Sequence, residues 1–207
     1  MTENQMFCFQ CQETAKGTGC TVKGVCGKTA ETNLWQDLLL GVVRGVGTVD
    51  HYLKKAGKAS LPEVESFITD ALFSTITNAN FDDTSILNKV TNGILLKKQL
   101  MDLAAKADIS LPDWQEVRWG GDEDDYAEEG KREGILRNED PDLRSLKELT
   151  VLGLKGMAAY YEHASRLGEH NPDIINFMSE ALCTISDPDA SMETLLNCVL
   201  ATGKYGI

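Results

Sequence analysis

The chain is poor in histidine, proline and aromatic residues: three His, five Pro and 7% Phe, Trp and Tyr in 207 residues. His51, His163 and His170 are widely separated and match no H-E-x-x-H or similar ligand spacing, so each reads as a surface or internally satisfied side chain. No apolar run approaches the ~18 residues that a membrane span requires. Positive charge is also short. Against 32 Asp and Glu there are 20 Lys and Arg, a net charge of −12, which opposes binding to nucleic acid or to an anionic bilayer. Such a surface could steer a basic redox partner, although solubility alone accounts for it. Period-2 alternation is missing throughout, which removes a sheet-based fold. The opening Met-Thr-Glu-Asn-Gln-Met lacks the basic and apolar regions of a secretory signal, so a cytoplasmic location is expected. In that reducing compartment six cysteines point to metal ligation rather than a disulfide framework.

What is present is helical periodicity over an ordinary globular composition, 42% hydrophobic and 25% charged. Residues 32–56 carry one apolar face through Leu34, Leu38, Leu39, Val42, Val43, Val46, Val49 and Leu53, with Gly57 placed as the C′ residue. Ser60, Leu61, Pro62 and Glu63 read as a capping box for a second helix, whose stripe runs from Val64 to Ile76. Asp82 or Asp83 caps a third, which extends to about Lys106. Asp140 with Pro141, and Asn171 with Pro172, are N-cap and N1 pairs that open two more helices. These end at Leu167, before Gly168, and near Ile185. A last helix covers about 190–201 and stops at Gly203. The expected fold is all-α: a cysteine-rich loop at 1–31, a three-helix bundle at 32–107, and a second at 140–207. Between the bundles, residues 108–139 lose periodicity. Gly120 and Gly121 break it, and the acidic run at 122–129 reads as a solvated connector, with a docking loop for a basic electron donor as the functional alternative.

The chemistry is concentrated near the N-terminus. Cys8 and Cys11 form a C-x₂-C pair, eight residues separate Cys11 from Cys20, and five separate Cys20 from Cys26. Four thiols threaded with Gly17, Gly19, Gly24 and Gly27 describe a loop that wraps a metal group. Iron–sulfur clusters are held by such irregularly spaced cysteines. Structural zinc sites more often use two close pairs, and only the first pair here has that spacing, so zinc stays open as the alternative, with paired disulfides behind it. The glycine N–H groups are placed to donate to cluster sulfurs, and Lys16, Lys23 and Lys28 would raise the potential. Cys183 and Cys198 fall on helices beside apolar residues and read as small core residues. Gly41, Gly45 and Gly47 lie inside a helix and do not form a nucleotide-binding fingerprint. Gly153 and Gly156 are expected to admit a neighbouring helix. No catalytic residue can be assigned, for no Ser–His–Asp or paired-carboxylate constellation is present.

The word Phe-Cys-Phe-Gln-Cys-Gln-Glu-Thr at 7–14, followed by Gly-Cys-Thr-Val-Lys-Gly-Val-Cys-Gly-Lys at 19–28, closely resembles the hybrid cluster proteins, also called prismane proteins or hydroxylamine reductases. The likeness continues through Phe-Ser-Thr-Ile-Thr-Asn-Ala-Asn-Phe-Asp-Asp at 73–83, Gly-Leu-Lys-Gly-Met-Ala-Ala at 153–159, and Leu-Ala-Thr-Gly-Lys-Tyr-Gly at 200–206. It implies that Cys8, Cys11, Cys20 and Cys26 bind a [4Fe–4S] cubane, whereas relatives with a longer second spacing carry [2Fe–2S]. It further implies a helical first domain and a ferredoxin- or rubredoxin-type donor. The hybrid iron–sulfur–oxygen cluster that reduces hydroxylamine or nitric oxide would sit in later domains. No ligand of that cluster has a counterpart here, so the chain is expected to be the N-terminal domain alone, inactive by itself, with positions 1–5 as a short extension.

Overall fold

The structure, a computed structural model, describes residues 6–206; the extension expected at positions 1–5 lies outside the described residues. Among these residues are α1 (Ala30–Lys55), α2 (Glu63–Ser74), α3 (Asp83–Lys106), α4 (Gln115–Arg118), α5 (Tyr126–Glu133), α6 (Pro141–Arg166), α7 (Pro172–Ser186) and α8 (Met192–Tyr205). Three short 3-10 turns accompany them, and the only β-pairing among the described residues is an isolated bridge between Cys8 and Cys20. The fold is all-α.

Local signals in the sequence account for most helix ends. Asp82, Asp140 and Asn171 each accept backbone N–H groups from the first turns of α3, α6 and α7. Gly57, at φ +69°, closes α1: its N–H meets the carbonyl of Lys54 and the N–H of Lys58 meets that of Leu53. Gly168, at φ +86°, does the same for α6 with Ser165, Glu169 and Ala164. Three ends differ from expectation. Helix α1 starts at Ala30, because Thr29 accepts the Thr32 N–H at 3.0 Å. Ser60 does not cap α2. The first turn is closed by the backbone, with the Val64 N–H on the Leu61 carbonyl at 3.1 Å, and the Ser60 hydroxyl finds no partner among the described residues. Helix α8 starts after Ser191, which accepts the Thr194 N–H, and runs through Gly203 to Tyr205.

Helix α1 is the axis of the molecule and packs against α2, α3, α4, α5 and α7; α6 lies on α2 and α8. One core cluster joins Leu38, Val43, Ile68 and Leu100 to Leu154, Met178, Leu182 and Leu195, so helices from 32–107 and 140–207 share a single interior. The segment 108–139 is more than a solvated connector. Its acidic residues 122–125 are exposed, but Glu116, Val117, Tyr126, Glu129 and Glu133 are buried against α1 and α3.

That contact is ionic rather than oily. Arg44 pairs with Glu133 and lies 3.7 Å from Glu116, while Arg137 donates to Glu116 at 2.7 Å and to Glu133 at 2.9 Å. Burial alone would push the Glu116 carboxyl upward, but Arg44 and Arg137 hold it below its ordinary range. Lys97, 1% exposed, donates to the carbonyls of Glu116 and Trp119, and burial pushes its pKa down to about 8.

Small residues make the approach possible. A Cβ on Gly45 would stand 2.3 Å from the Glu116 carbonyl oxygen, one on Gly41 would meet Glu133 at 2.6 Å, and one on Gly47 would meet Leu182 at 2.7 Å. Gly153 admits α8 in the same way, since its Cβ would lie 2.2 Å from Thr202 Cγ2. Gly156 does not, because nothing stands within 4 Å of the position its Cβ would take. Gly45→Ala is therefore expected to lower the unfolding free energy by about 1–3 kcal/mol through overpacking. Gly156→Ala should raise it by about 0.4–1 kcal/mol through lost unfolded-state entropy. Urea unfolding followed by circular dichroism checks both, and equal stability of the two variants would refute the close approach at Gly45.

Candidate metal centre

The loop that precedes α1 is short of apolar residues and is shaped by its backbone. Cys8 and Cys20 exchange two backbone hydrogen bonds, at 3.0 and 2.9 Å, which clamp the first half of the loop onto the second. The Thr14 N–H donates to the Cys11 carbonyl, and the Thr14 hydroxyl to that of Cys8. Left-handed turns at Gly17 (φ +67°), Gly19 (φ +123°) and Gly27 (φ +98°) bend the chain where L side chains are disfavoured. Gly24 serves for space instead: a Cβ there would stand 2.9 Å from Cys26 Sγ.

These turns bring Cys8, Cys11, Cys20 and Cys26 to the wall of one cavity. The opposite wall is the connection between α2 and α3, through Ile76, Thr77, Asn78 and Phe81. Cys20 is buried, Cys8 and Cys11 half-buried, and Cys26 exposed. All six cysteines are free thiols, so the disulfide alternative is not what this structure contains. The backbone N–H groups of Ala15 and Val25, then the Thr14 hydroxyl and the Lys28 ammonium, lower the Cys20 pKa against the upward pull of burial. The donors on this sulfur are thus not the expected glycines. The N–H groups of Gly17, Gly24 and Gly27 go instead to the carbonyls of Thr14, Lys28 and Gly24.

Of the three lysines singled out in the loop, Lys28 lines the cavity, 4% exposed, while Lys16 and Lys23 face solvent. Lys28 Nζ donates to Gln36 Oε1 at 3.0 Å, and Gln36 donates on to the Asn80 carbonyl at 3.0 Å. A second buried lysine was not among the candidates. Lys155, on α6 and 3% exposed, donates to Gln10 Oε1 and to the Thr75 carbonyl, both at 3.1 Å. Burial, with Lys28 nearby, pushes its pKa down to about 8, which leaves it mostly protonated at neutral pH. Its only prior signal was its place inside the 153–159 word.

The remaining candidates stay away from the cavity. His51 lies edge-on to Tyr52, His163 packs against Phe73, and His170 contacts Glu65 at 2.7 Å. Cys183 and Cys198 are buried on α7 and α8, and burial pushes both thiols up to about 11. Among the described residues no three Cys, His, Asp or Glu side chains converge on the position of a single metal ion. No helix among them is long and apolar enough to cross a membrane.

The chain's relatives agree in kind. Residues 6–207 match the Prismane/CO dehydrogenase family. The chain is 52% identical to a hydroxylamine reductase of Bacteroides thetaiotaomicron, over 98% of its own length and 36% of the relative's. It is 44% identical to those of Desulfitobacterium hafniense and Nitratidesulfovibrio vulgaris, in each case over 98% of this chain and 37% of the relative. The chain thus spans little more than a third of the curated relatives that it matches.

Exposure and thiol acidity together order the cysteines by reactivity. In metal-free, reduced protein, Cys26 should alkylate first, whereas Cys183 and Cys198, protonated until pH approaches their raised pKa values, should remain the slowest from pH 7 to 9. Timed iodoacetamide labelling read by peptide mass spectrometry tests this. Cys183 reacting as fast as Cys26 would contradict its placement in the core.

Proposed function

Since the chain belongs to the Prismane/CO dehydrogenase family, we propose that it is the N-terminal electron-transfer domain of a hydroxylamine-reductase-like oxidoreductase. In this reading Cys8, Cys11, Cys20 and Cys26 hold a [4Fe–4S] cluster, and electrons pass from it to a hybrid-cluster site in domains outside this chain. The observation that carries the reading is the gathering of all four thiols around one cavity. The donor set fits a multinuclear group better than zinc. A tetrahedral zinc at about 2.3 Å from each sulfur draws its ligands to within about 3.8 Å of one another. A cubane takes one thiolate per iron and suits four thiols that border a cavity without meeting at a point.

When bound, the cluster would supply one-electron transfer. The chain's own residues prepare its seat. The N–H groups of Ala15 and Val25 and the Thr14 hydroxyl favour the thiolate of Cys20. Gly24 leaves room for the Cys26 sulfur. The loop's outer surface carries Phe9, Val22 and Val25, all more than half exposed, beside the exposed Cys26. That surface is where a ferredoxin- or rubredoxin-type donor would approach, and a cytoplasmic setting would keep the thiols reduced. Reduction of hydroxylamine to ammonia and water, or of nitric oxide, would belong to the whole protein, and this chain by itself is expected to be inactive.

Iron and acid-labile sulfide, measured on anaerobically purified chain, test the reading: about four of each per chain, with absorption bleached by dithionite, are expected. Zinc in stoichiometric amount, or no metal after reconstitution, would instead leave a structural or interaction module. Cys11→Ser should impair cluster retention while helical circular dichroism is largely preserved, because the core of α1–α8 is built without the loop's thiols. Helix loss in parallel with iron would make the cluster part of the core.

A further inference from the structure

Lys28 and Lys155 are both nearly fully buried, and neither has a carboxylate within ion-pair distance among the described residues. The carboxylates whose charge still reaches Lys155, Glu148 and Asp37, stand farther away, and burial pushes Asp37 up to about 7, which halves its negative charge at neutral pH. A buried ammonium without a counter-charge is costly. Its neutral hydrogen bonds, to Gln10 and to the Thr75 carbonyl, satisfy its donors but not its charge. What adjoins it is the cavity of four thiols, since Gln10 sits between Cys8 and Cys11 and lines that cavity. Lys155 comes from a helix 145 residues away in sequence and reaches the loop between α2 and α6, where its fixed position owes nothing to the loop itself.

We propose that Lys155 is a positioning residue of the metal centre: it fixes the C-x₂-C turn through Gln10 and supplies, from beneath, a buried positive charge whose counter-ion is the thiolate-bound cluster. This rests on the cluster reading above. A nearby cation stabilises the more negative, reduced form, so its removal should make the cluster harder to reduce. Loop lysines that face water are screened and act weakly by comparison.

The test is a redox titration of anaerobically reconstituted chain, with iron and sulfide content measured on the same samples. Lys155→Gln retains a donor for its two carbonyl acceptors but not the charge; Lys155→Met removes both. At the wild-type midpoint, each variant that carries its cluster should show at least a tenfold lower ratio of reduced to oxidised form, which is 59 mV for a one-electron couple. Lys155→Met should also retain less iron than Lys155→Gln. Lys147→Met is the control: Lys147 is another buried lysine of α6, bound to the Asp187 carbonyl at 3.1 Å and away from the cavity, and its loss should leave the midpoint unchanged. An iron-loaded Lys155→Gln with the wild-type midpoint would overturn the proposal, as would an equal shift in Lys147→Met. Wild-type chain that takes up no iron would overturn the parent reading instead, so the two failures are distinguishable.

Discussion

A helix buried on every side constrains all that surrounds it, and α1 is such a helix: residues 41–50 are buried without exception. Two demands follow. Neighbours must come close around the whole circumference, which Gly41, Gly45 and Gly47 permit towards α5, α4 and α7. Every polar group on α1 must also be matched in place, for no solvent-facing stripe remains to receive it. Arg44 meets Glu133 and Glu116; Asp50 accepts from Ser179 at 2.5 Å and pairs with Lys54 at 2.7 Å. The ionic belt from 108–139 is thus the partner that a buried arginine requires. Removing one member of such a belt would leave a buried charge unpaired, at a cost of about 3–5 kcal/mol.

This rigid axis matters for the metal centre because the cysteine loop runs directly into it through the Thr29 cap. The loop has little apolar surface with which to hold itself, Met6 and Cys20 being its only buried hydrophobic residues. Polar ties to the frame do that work: Lys28 through Gln36 to Asn80, and Gln10 through Lys155 to Thr75. Three words noted in the sequence meet here. The cysteine loop forms one wall, the 73–83 stretch the other, and the 153–159 stretch supplies the lysine below.

How far this was legible depends on the kind of force involved. Helix ends fixed by local chemistry could be read directly, as at Gly57, Asp140 and Asn171, because cap and turn residues act within a few positions of themselves. The four cysteines could be read because their spacing is itself the signal. Helices α4 and α5 could not. Their buried residues include Glu116, Glu129 and Glu133, so they carry no apolar stripe, and the arginine that satisfies two of them lies far away in α1. Ser60, Gly156 and Gly203 show the converse: each has the right residue type, yet its expected role depended on neighbours that the structure does not place there. Lys155 was invisible for the same reason as Glu133. A long-range polar contact leaves no periodic trace.

The net charge of −12 would suggest an environment hostile to a reduced, negatively charged cluster. Distance and dielectric reverse that inference. The acidic residues 122–125 face water, where at physiological ionic strength the field of a charge decays over about 8 Å. Lys28 and Lys155 act from the interior, where the effective dielectric constant is several-fold lower and screening is weak. A few buried cations next to the thiols therefore outweigh a larger number of solvated carboxylates elsewhere. The bulk charge describes how the molecule meets solvent and partners. The local placement of two lysines describes how it would meet an electron.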